Sequence, residues 1–122
     1  MNLKFILNKK MMKAKITFND LMDLESKIEI KLGTIQSVER IPKKDALIKL
    51  EVYFDENDTR QVVTNLGGVL ENINDLLYIT LPFYTNLEPA KIGGIESQAM
   101  IIVPKTTDGK IDLTGKSGLY LM

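Results

Sequence analysis

The chain has 122 residues, 44% of them hydrophobic and 26% charged, the size and balance of a single globular domain. Cysteine and histidine are both absent, which removes disulfides, thiolate nucleophiles, zinc knuckles, the commonest general base and the commonest metal ligand. Basic and acidic residues balance at sixteen each, but five lysines and no acid fall within residues 1–15, so the rest of the chain, with eleven basic and sixteen acidic residues, carries −5. A body of that sign cannot hold polyanions over its whole surface, because neutralising phosphates takes lysine and arginine; any such contact needs a local patch. What remains for catalysis is scattered carboxylates, lysines and hydroxyls, so no enzymatic activity, cofactor or metal is expected.

Residues 1–15 read as a basic, poorly ordered extension ahead of one domain over 16–122. The run Phe5-Ile6-Leu7 is too short for a secretory core and no small-residue cleavage site follows it. Met11 or Met12 would serve as a start as well as Met1, and the cytoplasm is the default location. The first periodic element has Phe18, Leu21, Met22 and Leu24 on one stripe, with Thr17 and Asp20 spaced as a capping box. This spacing predicts a short amphipathic helix over about 17–25.

Ile28, Ile30 and Leu32 then alternate strictly, and the register slips beside Gly33 before Ile35 and Val38. A slip next to a glycine is the mark of a long, bulged, coiled strand. Pro42 breaks the segment 40–45. Ala46, Ile48, Leu50, Val52 and Phe54 share one face of a second strand, with Lys49, Glu51 and Asp55 on the other. Residues 55–58 read as a hairpin loop and 61–64 as strand three. Val69, Leu70, Ile73 and Leu76 are spaced for a short helix within 69–77; Tyr78–Leu81 reads as strand four and Met100–Val103 as strand five. The tail beyond residue 105 has turn signals around Ile111–Leu113 and Leu119–Leu121, which read as one or two added strands.

Three strands, a short helix and two more strands is the order of an all-β, five-stranded OB-type barrel, here with an N-terminal helix and a C-terminal strand extension. Such barrels bind across strands two and three, between jaws formed by the loops joining strands one to two and four to five, here residues 40–45 and 82–97. Periodicity alone allows an SH3-like barrel or another small α+β fold equally.

Six blocks break the tie: Ile16-Thr-Phe-Asn-Asp, Glu29-Ile-Lys-Leu-Gly33-Thr-Ile, Pro42-Lys-Lys-Asp-Ala-Leu47-Ile-Lys-Leu, Arg60-Gln-Val-Val63, Asn86-Leu87 and Gly94-Ile-Glu-Ser97-Gln-Ala-Met100. In this order and spacing, over about 16–113, they resemble the tRNA-binding domain found at the C-terminus of bacterial methionyl-tRNA synthetases, in free-standing tRNA-binding proteins and in CsaA-type export chaperones. The resemblance implies an OB barrel that holds structured RNA by shape and backbone, without catalysis, often as a homodimer. The chain departs from the family's usual Asp-Leu-Arg with Glu29-Ile30-Lys31, from Ser-Gly with Thr64-Asn65, and from a basic cluster with Glu88-Pro89-Ala90-Lys91, in which Glu88 and Ala90 each stand where a lysine or arginine is expected.

The candidate RNA contacts are Lys43 and Lys44, the densest basic spot outside the N-terminal extension, with Lys31 and Lys91 carried over from family positions. Asn86 and Ser97, at the ends of the second jaw, are candidates for sugar or base edges, although such side chains more often tie a loop to its own backbone. Tyr53, on the polar face of strand two, and Phe83 and Tyr84 beside the second jaw are candidate stacking platforms. Phe18, Leu21 and Met22 on the helix and Leu119 and Leu121 in the apolar terminus are candidate dimer contacts. The alternative function is a dimeric module that binds polypeptide or a synthetase partner and has lost RNA binding, which suits the acidic body.

Overall fold

The computed structural model describes residues 13–104 together with Ile111 and Leu113. Helix α1 (Phe18–Glu25) starts where the capping box places it: the Asp20 amide donates to Thr17 Oγ1 at 3.0 Å, and the Thr17 amide to the Asp20 carboxylate at 3.3 Å. None of its residues is buried. Strands β1 (Ile30–Ile41), β2 (Lys44–Asp55), β3 (Asp58–Thr64), β4 (Thr80–Tyr84) and β7 (Met100–Ile101) form one antiparallel sheet in the order β3-β2-β1-β4-β7. A separate hairpin, β5 (Ala90–Ile92) with β6 (Ile95–Ser97), interrupts the connection between β4 and β7.

The sheet curls because β1 serves two neighbours. Its first half, Ile30–Thr34, pairs with β4, and from Thr34 onward it pairs with β2 through a register shift between Ile35 and Ser37. Gly33 sits where the strand turns from one partner to the other. A Cβ there would lie 2.5 Å from Val52 Cγ1 and 2.7 Å from the Phe54 ring, so any other residue forces those side chains to shift. Inside the curl, Ile35, Ile48, Leu50, Val52, Val62, Leu66, Leu76, Leu81, Phe83 and Ala99 form one core, and Phe54 meets Phe83 edge to face at 5.4 Å.

Side chains do much to join β3 to Ser97–Ala99, the segment that leads into β7. Ser97 Oγ accepts from the Val63 amide at 3.0 Å and donates to the Ala99 carbonyl at 3.0 Å. Gln98 Oε1 accepts from the Gln61 amide, whose carbonyl in turn accepts from the Gln98 amide. Arg60 grips Asp58 with two nitrogens at 2.8 and 3.1 Å, donates to the carbonyls of Thr85 and Gln98, and lies over the Phe54 ring. These bonds complete the OB-type barrel.

Three expected boundaries are corrected. In place of a helix over 69–77 there is one 3-10 turn, Ile73–Leu76, after another at Asn65–Gly68, because the Asn72 side chain accepts from the Asn74 amide and starts a new turn rather than prolonging a helix. Strand four begins at Thr80 rather than Tyr78, since Tyr78 takes a positive φ of 63° and its amide bonds to the Ile35 carbonyl. Strand five is Met100–Ile101, after which the Ile102 amide still reaches the Pro82 carbonyl. Of the expected tail strands, Ile111 lies in a bridge and, with Leu113, packs against the core; the rest lies outside the described residues.

Candidate nucleic-acid interface

The two jaws meet. Pro42 and Lys43 form the tight turn between β1 and β2, with Ile41 paired to Lys44 across it. Gly93 and Gly94, at φ values of 60° and 83°, make the primed turn at the tip of the β5–β6 hairpin. That tip rests on the start of β2: a Cβ on Gly93 would come within 2.6 Å of Leu47 Cδ1 and 3.0 Å of Lys44 Cδ. Lys44 therefore lays its aliphatic stem against the hairpin, with Lys43 beside it in the turn and Lys91 two residues along the hairpin. All three are exposed, and among the described residues none has a carboxylate within ion-pair distance. Arg40, beside them, donates to the carbonyls of Asp45 and Gly67 and so holds the turn against the 3-10 segment.

The other basic candidate lies elsewhere. Lys31 is 3.8 Å from Glu29 and 3.9 Å from Asp58, at the end of the barrel where β2 turns into β3. Tyr53, partly exposed, sits at that same end, nine residues along β2 from Lys44. At roughly 3.3 Å per residue, less where a strand coils, that separation is on the order of 25–30 Å. One phosphate patch cannot include both ends. Between them, the outer face of β1–β3 has a polar depression bordered by Glu39, Lys49 and Glu51, in which Lys49 pairs with Glu39 at 3.6 Å. With Arg60 also on its border, two acidic and two basic side chains balance there, so the face on which an OB barrel commonly binds has no basic excess here.

Asn86 and Ser97 belong to the framework. The Asn86 amide accepts from the Glu29 amide at 2.8 Å and donates to the Lys27 carbonyl at 2.7 Å, stapling the β4 exit to the segment before β1. Ser97 is buried with its hydroxyl committed to barrel closure. Phe83 is wholly in the core. Tyr84 instead lines an apolar cleft of about 570 Å³ between the hairpin and the barrel end, together with Leu47, Leu87, Ala90 and Ile92. Sequence reasoning missed this cleft and the closing role of Arg60. An apolar side chain at alternate positions of β5 was the one local signal for the cleft.

Phe18, Leu21 and Met22 are exposed on α1. The outer face of β1 carries Ile30 and Leu32, also exposed, with Ile30 in line with Tyr84 and Met100 across β4 and β7. Leu119 and Leu121 lie outside the described residues. Among the described residues no helix is long and apolar enough to cross a membrane, and no three His, Cys, Asp or Glu side chains cluster as metal ligands.

The model of the putative tRNA binding domain family matches residues 30–116. The chain is 42% identical over 87 residues to the methionine–tRNA ligase of Methanococcoides burtonii and 36% identical over 90 residues to the cytoplasmic tyrosine–tRNA ligase of Danio rerio. Those alignments take in 71% and 72% of this chain but only 12% and 16% of the ligases. Among solved structures, the MetRS related protein from Pyrococcus horikoshii superposes with a TM-score of 0.67 at 33% identity, covering 83% of this chain and 86% of that one. The CsaA chaperone protein from Picrophilus torridus shares the fold, with a TM-score of 0.62 at 23% identity over 80% and 87% of the two chains. The closed barrel, the ordered motifs and these matches make the chain a member of the tRNA-binding domain family.

Proposed function

We propose that the chain is a non-catalytic cytoplasmic module that binds tRNA or a similarly structured RNA by its shape and backbone. The observation that supports this reading is the meeting of the two jaws, which sets Lys44, with Lys43 beside it, against the tip of the hairpin that carries Lys91, at one end of an otherwise acidic body. RNA approaches that end while the acidic excess of the rest of the body repels it, so affinity is modest and strongly salt-dependent.

The test is tRNA binding across a salt series with the Lys43→Ala, Lys44→Ala double variant. Two phosphate contacts contribute about 1.4–1.8 to the slope of log affinity against log salt. Between about 50 and 200 mM salt the native protein therefore loses about tenfold more affinity than the double variant. Equal slopes would overturn the assignment of this end as the RNA site.

Exposed apolar surface favours a second, compatible reading: the domain works as a homodimer. Phe18, Leu21 and Met22 on α1, with Ile30 and Leu32 on the sheet, offer two apolar faces that a second copy would cover reciprocally about a two-fold axis. Leu119 and Leu121 are the proposed contribution of the tail. Sedimentation equilibrium of the intact chain at micromolar concentration gives a dimer mass; a monomer mass overturns this reading and leaves the RNA site untouched.

A further inference from the structure

We infer that the apolar cleft beside the paired jaws receives one unstacked nucleobase of the bound RNA, and that Glu88 reads that base's amino group. The inference rests on the RNA-binding reading above and specifies what enters the site besides phosphate. Strand alternation turns Ala90 and Ile92 into the cleft and Lys91 to the opposite face of the hairpin, while Leu47 closes the wall beneath the hairpin tip. The cleft's volume of about 570 Å³ suits a single nucleoside. It is far too narrow for a duplex.

Its chemistry fits a base better than an ion or a sugar. The walls are aliphatic, and Tyr84 is half-buried along one of them, the kind of surface that takes the flat faces of an extruded base. Of the polar residues that line the cleft, Asn65 and Glu88 are exposed, while Ser97 is buried with its hydroxyl bonded within the barrel. Neither the Asn65 nor the Glu88 side chain is tied to another described residue by a hydrogen bond or ion pair. A carboxylate repels phosphate but accepts well from an exocyclic amine, so Glu88 favours cytosine or adenine over uracil. Lys44, whose stem lies against the hairpin tip, brings positive charge to the rim, where the backbone of an extruded nucleotide passes. Charge complementarity at the rim and apolar contact within thus select the same occupant.

Ala90 is exposed on a two-stranded hairpin, so Ala90→Phe fills the cleft without disturbing the core. With tRNA as the probe, this variant binds about tenfold more weakly than the native protein while keeping its salt slope, because apolar stacking is lost and no phosphate contact is. Glu88→Gln, read with RNA hairpins carrying a single bulged cytidine or uridine, loses a preference of about fivefold or more for cytidine. If the native protein binds no RNA, the functional reading itself fails. If it binds and Ala90→Phe leaves affinity unchanged, only the base cleft is overturned. Loss of binding to an unfolded apolar polypeptide in Ala90→Phe, with tRNA affinity intact, would assign the cleft to a protein partner and overturn it equally. So would unchanged tRNA affinity accompanied by protease sensitivity newly gained in residues 114–122, which would give the cleft to the chain's own tail.

Discussion

Lys43 stands in a conformation that costs stability, at the point where its charge is proposed to be used. Its φ is 64°, in the second central position of a two-residue turn whose first position is Pro42. Such a type II arrangement favours glycine, because a Cβ in the left-handed region costs about 1–2 kcal/mol. Lys43→Gly removes that strain but gives the unfolded chain more freedom, which offsets about 0.5–1 kcal/mol. The net expectation is a gain of about 0.5–1 kcal/mol. For a domain of this length that is about 2–4 °C in Tm. The same substitution removes one phosphate contact, so the tRNA salt slope falls by about 0.7–0.9. Lys43→Ala is the control: it loses the same slope and gains no stability, since alanine keeps the Cβ. Thermal unfolding by circular dichroism and tRNA binding by fluorescence anisotropy, run on all three proteins, check both halves. A Lys43→Gly protein no more stable than Lys43→Ala would refute the strain argument, and an unchanged slope in both would refute the role of the charge.

Two further substitutions probe the barrel itself. Arg60→Lys loses the two-nitrogen grip on the partly buried Asp58 and the bonds to the Thr85 and Gln98 carbonyls; we expect a loss of about 2–3 kcal/mol in urea unfolding and faster exchange of the Gln61 amide, and slow exchange with native stability would mean that the seam does not depend on it. Gly33→Ala drives a Cβ into Val52 and Phe54 and should cost about 1–3 kcal/mol while leaving the tRNA salt slope intact, because the site lies at the far end of the barrel; a neutral substitution would show that β1 can bend there without glycine.

What was legible in the sequence is what short-range geometry dictates. The alternation of Ile48, Leu50 and Val52 requires a strand with one buried face, and Thr17 with Asp20 nucleates α1 from four residues of chain. Gly33 was visible as a slip of register, and the ordered motifs carried the barrel and its family. Helix and turn were confused at 69–77 because the apolar spacing there suits either, and the Asn72 side chain decides between them at short range. The identity of the site depended on pairs far apart in the chain. Asn86 reaches back to Lys27 and Glu29, Ser97 to Val63, Lys31 across to Asp58, and Gly93 onto Lys44 and Leu47. A side chain has one set of hydrogen-bonding atoms, and whether the backbone or a ligand occupies them depends on which distant strand closes beside it. Residue type therefore nominated Lys31, Asn86, Ser97 and the jaw lysines alike. Only closure of the barrel separated the groups tied into its frame from those left exposed at its surface.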